Sequence, residues 1–181
     1  MRAPRTTPTG VERRFGDDEI IVTKTDPRGV VTYANDVFLR VSAMREADVL
    51  GQPHNLIRHP AMPRGVFDLL WETLREGREM FALVLNLAAD GAHYWVLAHV
   101  TPSTGASGQL TGYHSSRRVP PPAAVAAATA LYAEMLREES RHARPADAVR
   151  ASRALLEQRL AATGRTYEEF VWSLLPAGAA A

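Results

Sequence analysis

The sequence predicts an α+β domain built on one antiparallel sheet, with helices attached behind it. Three observations carry that reading. Two β-branched segments flank a Pro-Gly turn within residues 20–33, an amphipathic stretch runs over about residues 64–75, and three strand-like segments form a meander from residue 80 to residue 117.

In chain order, Ile20 to Thr25 reads as a strand closed by Asp26-Pro27-Arg28-Gly29, where proline suits the first inner turn position and glycine tolerates positive φ. Val30 to Tyr33 returns as its partner. Ala34 to Ser42 puts Val37, Phe38 and Val41 on one helical face, with Asn35 placed to cap it. A short turn follows at Arg45 to Leu50. The segment Gly51 to Pro63, with two histidines, an arginine and three prolines, is too elaborate for a plain connector. Val66, Phe67, Leu70, Trp71 and Leu74 then recur at helical spacing, and Gly77 stops the helix. Met80 to Leu87 and Ala92 to Val100 are strands joined by Asp90-Gly91, and a last strand runs through Leu110 to Arg117.

At Pro120-Pro121-Pro122 the composition shifts. Ala123 to about Ala143 and Ala146 to Ala162 read as helices separated by Pro145, and a third helix begins at Thr166 and Glu169, which are spaced as a capping box. These helices are too sparse in large apolar residues to fold alone, so they are expected to pack on the sheet, on each other or on a second copy. The organisation is then a flexible arm or cap over residues 1–18, a core domain over 19–118 and a helical extension over 119–181. A short helix near Val11 to Phe15 would let the arm pack on the core.

Composition excludes several chemistries. The chain has 181 residues, no cysteine and a formal net charge of +1. Disulfides, thiolate metal sites and cysteine nucleophiles are therefore absent, and no strong field points to nucleic acid. The basic start lacks an apolar signal region and no stretch is long enough for a membrane span, so a cytoplasmic protein is expected. No nucleophile, base and orienting group fall into a recognisable arrangement, which argues against an enzyme. The pairs Arg13-Arg14 and Arg117-Arg118 read as solvated charges, and Trp95 as a core residue.

The motifs Ala34-Asn35-Asp36, Gly51-Gln52-Pro53-His54-Asn55, Arg58-His59-Pro60, Met62-Pro63, Trp71 and Asp90-Gly91-Ala92-His93-Tyr94-Trp95 occur in fixed order and spacing. Together, from about Ile20 to Arg118, they resemble the PAS domain of bacterial aerotaxis receptors. The resemblance implies a PAS fold, a five-stranded antiparallel sheet with short helices on one face, here followed by a C-terminal helical extension. It also implies a noncovalently held FAD whose redox change alters hydrogen bonds around the ring and passes through the sheet to a signalling partner. The family's flavin-associated positions fall on Asn35, His54, Arg58, His59, Trp71, Asn86 and Tyr113. Met80 stands where the family has a tryptophan over the ring, Ala61 replaces an acidic residue, and Leu85 replaces a lysine.

The residues taken singly leave other roles open. Asn35 serves equally as a helix cap, and Asn86 as half of a cross-strand bond. His54, His59, His93, His99 and His114 bring in a haem gas sensor as an alternative to FAD. Met80, Phe81 and Leu85 filling the interior would instead make a cofactor-free interaction module. Either way the expected output is conformational, delivered in trans to a signalling protein, with the chain as a homodimer.

Overall fold

The computed structural model describes residues 6–175. Its elements are β1 (Ile21–Thr25), β2 (Val31–Ala34), α1 (Asp36–Ser42), α2 (Glu46–Val49), a 3-10 turn (His54–Ile57), α3 (Arg64–Arg75), β3 (Met80–Leu87), β4 (His93–Thr104), β5 (Leu110–Arg118), α4 (Pro122–Glu139), α5 (Pro145–Ala161) and α6 (Tyr167–Ser173). The strands form one five-stranded antiparallel sheet in the order β2-β1-β5-β4-β3. Two units divide the chain. One takes residues up to His59 together with Val84–Val119, and the other takes Pro60–Leu83 with the residues from Pro120 onward.

In the first unit, the β1–β2 hairpin is closed by Asp26, whose Oδ1 accepts from the N–H groups of Arg28 (2.8 Å) and Val30 (2.9 Å), while Gly29 takes φ 78°. Asn35 caps α1 by accepting from the Phe38 N–H at 3.0 Å, which fixes how Phe38 and Val41 enter the core. Residues opposite each other in the antiparallel ladder share a face. Ile21, Arg117 and Ala98 therefore form one inward row, Thr23, Ser115 and Val100 the next, and Thr25, Tyr113 and Pro102 a third.

The stretch Val11 to Phe15 is extended and not helical. Its backbone is bonded elsewhere: the Arg13 N–H donates to the His93 carbonyl (2.7 Å) and the His93 N–H to the Val11 carbonyl (2.9 Å). The Arg117 of the supposedly solvated pair is buried at 4% exposure. Position on a strand flanked by β1 and β4 overrides the ordinary preference of arginine for water. Its Nη2 donates to Thr23 Oγ1 at 2.9 Å and lies 2.7 Å from His54 Nε2, which is 3.1 Å from the same hydroxyl. His54 accepts there as a neutral ring, so the 3-10 turn is tied to two strands of the sheet.

In the second unit, α3 is held by the C-terminal helices. Pro63 offers no side-chain cap, and the Glu139 carboxylate on α4 supplies one by accepting from the N–H groups of Arg64 (2.5 Å) and Gly65 (3.4 Å). Arg153 on α5 reaches Glu72 at 2.6 Å and Asp68 at 3.4 Å on α3. Gly65 lies tight against α5: a Cβ there would stand 2.7 Å from Ser152 Oγ and 2.9 Å from the Arg153 nitrogen. The Tyr132 hydroxyl donates to the Leu83 carbonyl at 2.7 Å and meets the Tyr167 hydroxyl at 2.8 Å, and the Phe81 and Trp172 rings pack at a tilt of 56° with centroids 4.6 Å apart. The capping box is present: the Glu169 N–H donates to Thr166 Oγ1 at 3.2 Å, and the Thr166 N–H to Glu169 Oε2 at 2.7 Å. The extension thus packs on itself, on α3 and on the first residues of β3.

Two outcomes follow from this packing. Gly65→Ala should lower stability by about 1–3 kcal/mol through overpacking against α5, read as a lowered urea midpoint; an unchanged midpoint would mean that α3 and α5 are not in this register. Burial, with Arg117 second, lowers the His54 pKa from 6.5 to about 3. The unfolded chain therefore binds more protons between those values, so this contribution to stability is complete above pH 6.5 and is lost as pH falls toward 3. His59 and His114 shift the same way, mainly by burial. His54→Gln should flatten, not abolish, the fall in urea midpoint between about pH 7 and about pH 5, and an unaltered slope would show that His54 is not buried neutral.

Candidate functional site

The inner face of the sheet in the first unit carries polar groups that the protein itself does not satisfy. Buried polar atoms are normally paired with protein or water, so each exception calls for an explanation. Seven buried side-chain atoms without a hydrogen-bond partner occur among the described residues. Five of them, Thr25 Oγ1, Asn86 Nδ2, Tyr94 Oη, Ser115 Oγ and Arg117 Nη1, belong to the first unit.

Strand pairing gathers them on one face. Thr25, Ser115 and Arg117 lie in successive inward rows of β1 and β5, and Tyr94 keeps the parity of Ala98 on β4. The Ala88 N–H bonds the Ala92 carbonyl at 2.8 Å, which sets those residues opposite each other; two residues further along each strand, Asn86 falls opposite Tyr94. The electrostatics agree. Burial lowers the Arg117 pKa to about 10, with Tyr94 acting in the opposite sense, and burial pushes the Tyr94 hydroxyl well above its ordinary value against the pull of Arg117 and Arg13. The result is a cationic, donor-rich patch inside an apolar wall formed by Ile21, Val96 and Ala98.

The residues singled out from the sequence distribute unevenly around it. Asn86 is 4% exposed, and its backbone forms an antiparallel bridge with Arg58, so Arg58 runs along the outer side of β3. Tyr113 is buried in the third inward row, opposite Thr25 and Pro102. His54 is committed to Thr23 and Arg117, and its ring lies 6.5 Å from that of Phe38. Asn35 uses both ends of its amide on backbone: Oδ1 accepts from Val22 and Phe38, and Nδ2 donates to Ile20 at 2.8 Å. His59 faces His93 with ring centroids 6.1 Å apart. Trp71, 38% exposed, and Met80, buried at the start of β3, belong to the second unit.

Arg117, Tyr94, Ser115, Thr25 and Thr23 were not singled out as site residues. A parity count along β5 carries a weak signal, since Tyr113, Ser115 and Arg117 alternate with His114, Ser116 and Arg118. It cannot reveal which set faces inward. Tyr94, not Trp95, is the fully buried aromatic of β4. In the second unit a cleft of about 260 Å³ opens among α3, α5 and α6, lined by Leu69, Leu156, Leu160 and neighbours. Its wall is largely aliphatic, and Arg153 and Thr166 at its margin are bonded to Glu72 and Glu169. Of the unpartnered atoms only Arg153 Nε belongs to a residue of its lining, and that atom stands 2.8 Å from Glu157 Oε1, so the cleft has no counterpart to the polar set of the first unit.

The comparisons with known proteins bear on the same region. A family model described as PAS fold matches residues 20–114. The aerotaxis receptor of Escherichia coli K12 is 38% identical over 118 residues, covering 65% of this chain and 23% of that protein. The nitrogen fixation regulatory protein of Klebsiella pneumoniae is 30% identical over 99 residues, covering 55% of this chain and 20% of the relative. The chain thus spans about a quarter or less of the curated relatives it matches. Among solved structures, a Light-Oxygen-Voltage domain studied through a flavin analogue superposes with a TM-score of 0.54 at 19% identity, covering 64% of this chain and 87% of that one. At that identity the likeness speaks for the fold alone. With more than half of its length matched by the family model, and with the sheet that the resemblance led us to expect, the chain belongs to the PAS family.

Proposed function

We propose that this chain is a PAS sensor that holds a flavin, FAD by its resemblance to aerotaxis receptors, noncovalently against the inner sheet face of the first unit. It reports the state of the ring to a signalling protein in trans, by conformation and without catalysis. The observation that carries this reading is the set of buried, unpartnered polar atoms on that face. The residues fit the group. A flavin ring is flat and apolar in its body, with carbonyl acceptors and an imide N–H along one edge. An amide such as Asn86 answers acceptors and donors alike, while Tyr94, Ser115 and Thr25 offer hydroxyls that do both. When bound, the flavin would supply the redox chemistry.

The chain's own residues would do the rest. Asn86 and Tyr113 would orient the ligand from the sheet, and Arg58, bridged to Asn86, would hold the segment beside it. Asn35 and His54 would act one step removed, by fixing α1 and the 3-10 turn. A change at Asn86 would reach β4, and through the β4–β5–β1 ladder the rest of the sheet. We read residues 19–118 as the sensory part and the C-terminal helices as the output surface toward a partner or a second copy. Among the described residues no helix is long and apolar enough to cross a membrane.

Absorption spectra of the protein as purified, and after incubation with FAD, test the reading. Bands at about 375 and 450 nm that persist through desalting are expected. A colourless protein that takes up no flavin would leave a cofactor-free interaction module, and a Soret band would turn attention to the histidines. Asn86→Ala should keep its circular dichroism and thermal midpoint while flavin retention falls about tenfold, the worth of one well-placed buried hydrogen bond. Retention equal to wild type in a folded variant would remove Asn86 from the site.

A further inference from the structure

We infer that Arg117 is a ligand-binding cation, held in the core at a cost to the empty protein and selecting a ligand that turns negative charge or paired carbonyl acceptors toward the sheet. The inference rests on the proposed site and adds a residue and a charge preference to it. Arg117 is 4% exposed and, among the described residues, has no carboxylate partner. Its Nη2 is used by Thr23 and His54, both uncharged acceptors, while Nη1 has none. A guanidinium taken from water into an apolar wall without a counter-ion is destabilising, and replacement of such buried charges by apolar side chains is often neutral or stabilising.

The surroundings show that the fold does not need this group. Without Arg117, Thr23 Oγ1 and His54 Nε2 still lie 3.1 Å apart and satisfy each other, so the tie between β1 and the 3-10 turn survives. What Arg117 does join is the unpaired set on the same face: Arg117 Nη1, with Ser115 Oγ in the next inward row and Tyr94 Oη two rows away on β4, makes a cationic polar array that nothing among the described residues receives. A neutral apolar ligand would leave the array as costly as before. An anionic ligand, or one with a carbonyl edge, completes it, and a planar guanidinium can address two acceptor atoms at once.

Arg117→Met and Arg117→Lys, each compared with wild type as ligand-free protein and with FAD added, test the inference. Ligand-free Arg117→Met should unfold at an equal or higher urea concentration than ligand-free wild type. Its FAD dissociation constant should rise about tenfold or more, and the FAD-induced gain in thermal midpoint should shrink accordingly. Lys, which keeps the charge but loses the fork, should fall between. A ligand-free Met variant less stable than wild type, or one that does not fold, overturns the inference, because the fold would then depend on Arg117. Unaltered FAD affinity in a folded Met variant overturns it too, while leaving the flavin reading intact. Wild type that takes up no FAD defeats the flavin reading instead, and the stability comparison still decides whether Arg117 is held at a cost.

Discussion

The placement of β5 between β1 and β4 is the constraint on which the first unit depends. A strand paired on both edges cannot turn its inward side chains aside, so along the doubly paired stretch from Tyr113 to Arg117 the residues of inward parity are shut from water whatever their chemistry. Tyr113, Ser115 and Arg117 stand at that parity. Tyr113 suits such a position. Ser115 and Arg117 do not, and the strand pays for them in unsatisfied atoms that an ordinary core would replace with valine or leucine. A hydrophobic wall interrupted by unpartnered polar atoms in several inward rows is the pattern expected where stability gives way to ligand recognition.

The polar groups that are satisfied serve to brace the site. Asn35 bonds three backbone groups and thereby joins β1 to α1, while His54 and Thr23 join β1 to the 3-10 turn. These side chains have little capacity left for a ligand, so their value lies in keeping neighbouring elements in register. Conserving the tautomer of His54 matters for the same reason, since only a neutral ring can accept from Arg117 and Thr23.

The second unit uses different physics. Its alanine-rich helices bury few large side chains, and close approach substitutes for bulk: Gly65 against Ser152, Ala128 and Met135 fully enclosed, and the Glu139 carboxylate on the orphan N–H groups of α3. Such an interface depends on helix register more than on buried area, because the cap and the glycine contact both fail if a helix slides by a residue.

The local chemistry of the chain was legible in the sequence. The Pro-Gly hairpin, the Asn35 cap, the Asp90-Gly91 turn, the Thr166–Glu169 capping box and the order of strands and helices all depend on residues within a few positions of one another. The ordered motifs carried the family. What only the tertiary structure decided is which side of each strand faces inward and what meets there. Arg117 looked like half of a solvated pair because its partner in sequence is another arginine; its neighbours in space are Ile21, Ala98, Thr23 and His54, from three separate segments. Likewise Asn35 and His54 matched ligand positions in the sequence, yet their hydrogen bonds go to backbone and to the sheet. Burial and pairing are set by strand register over long sequence separations, and no local pattern of residues encodes that register.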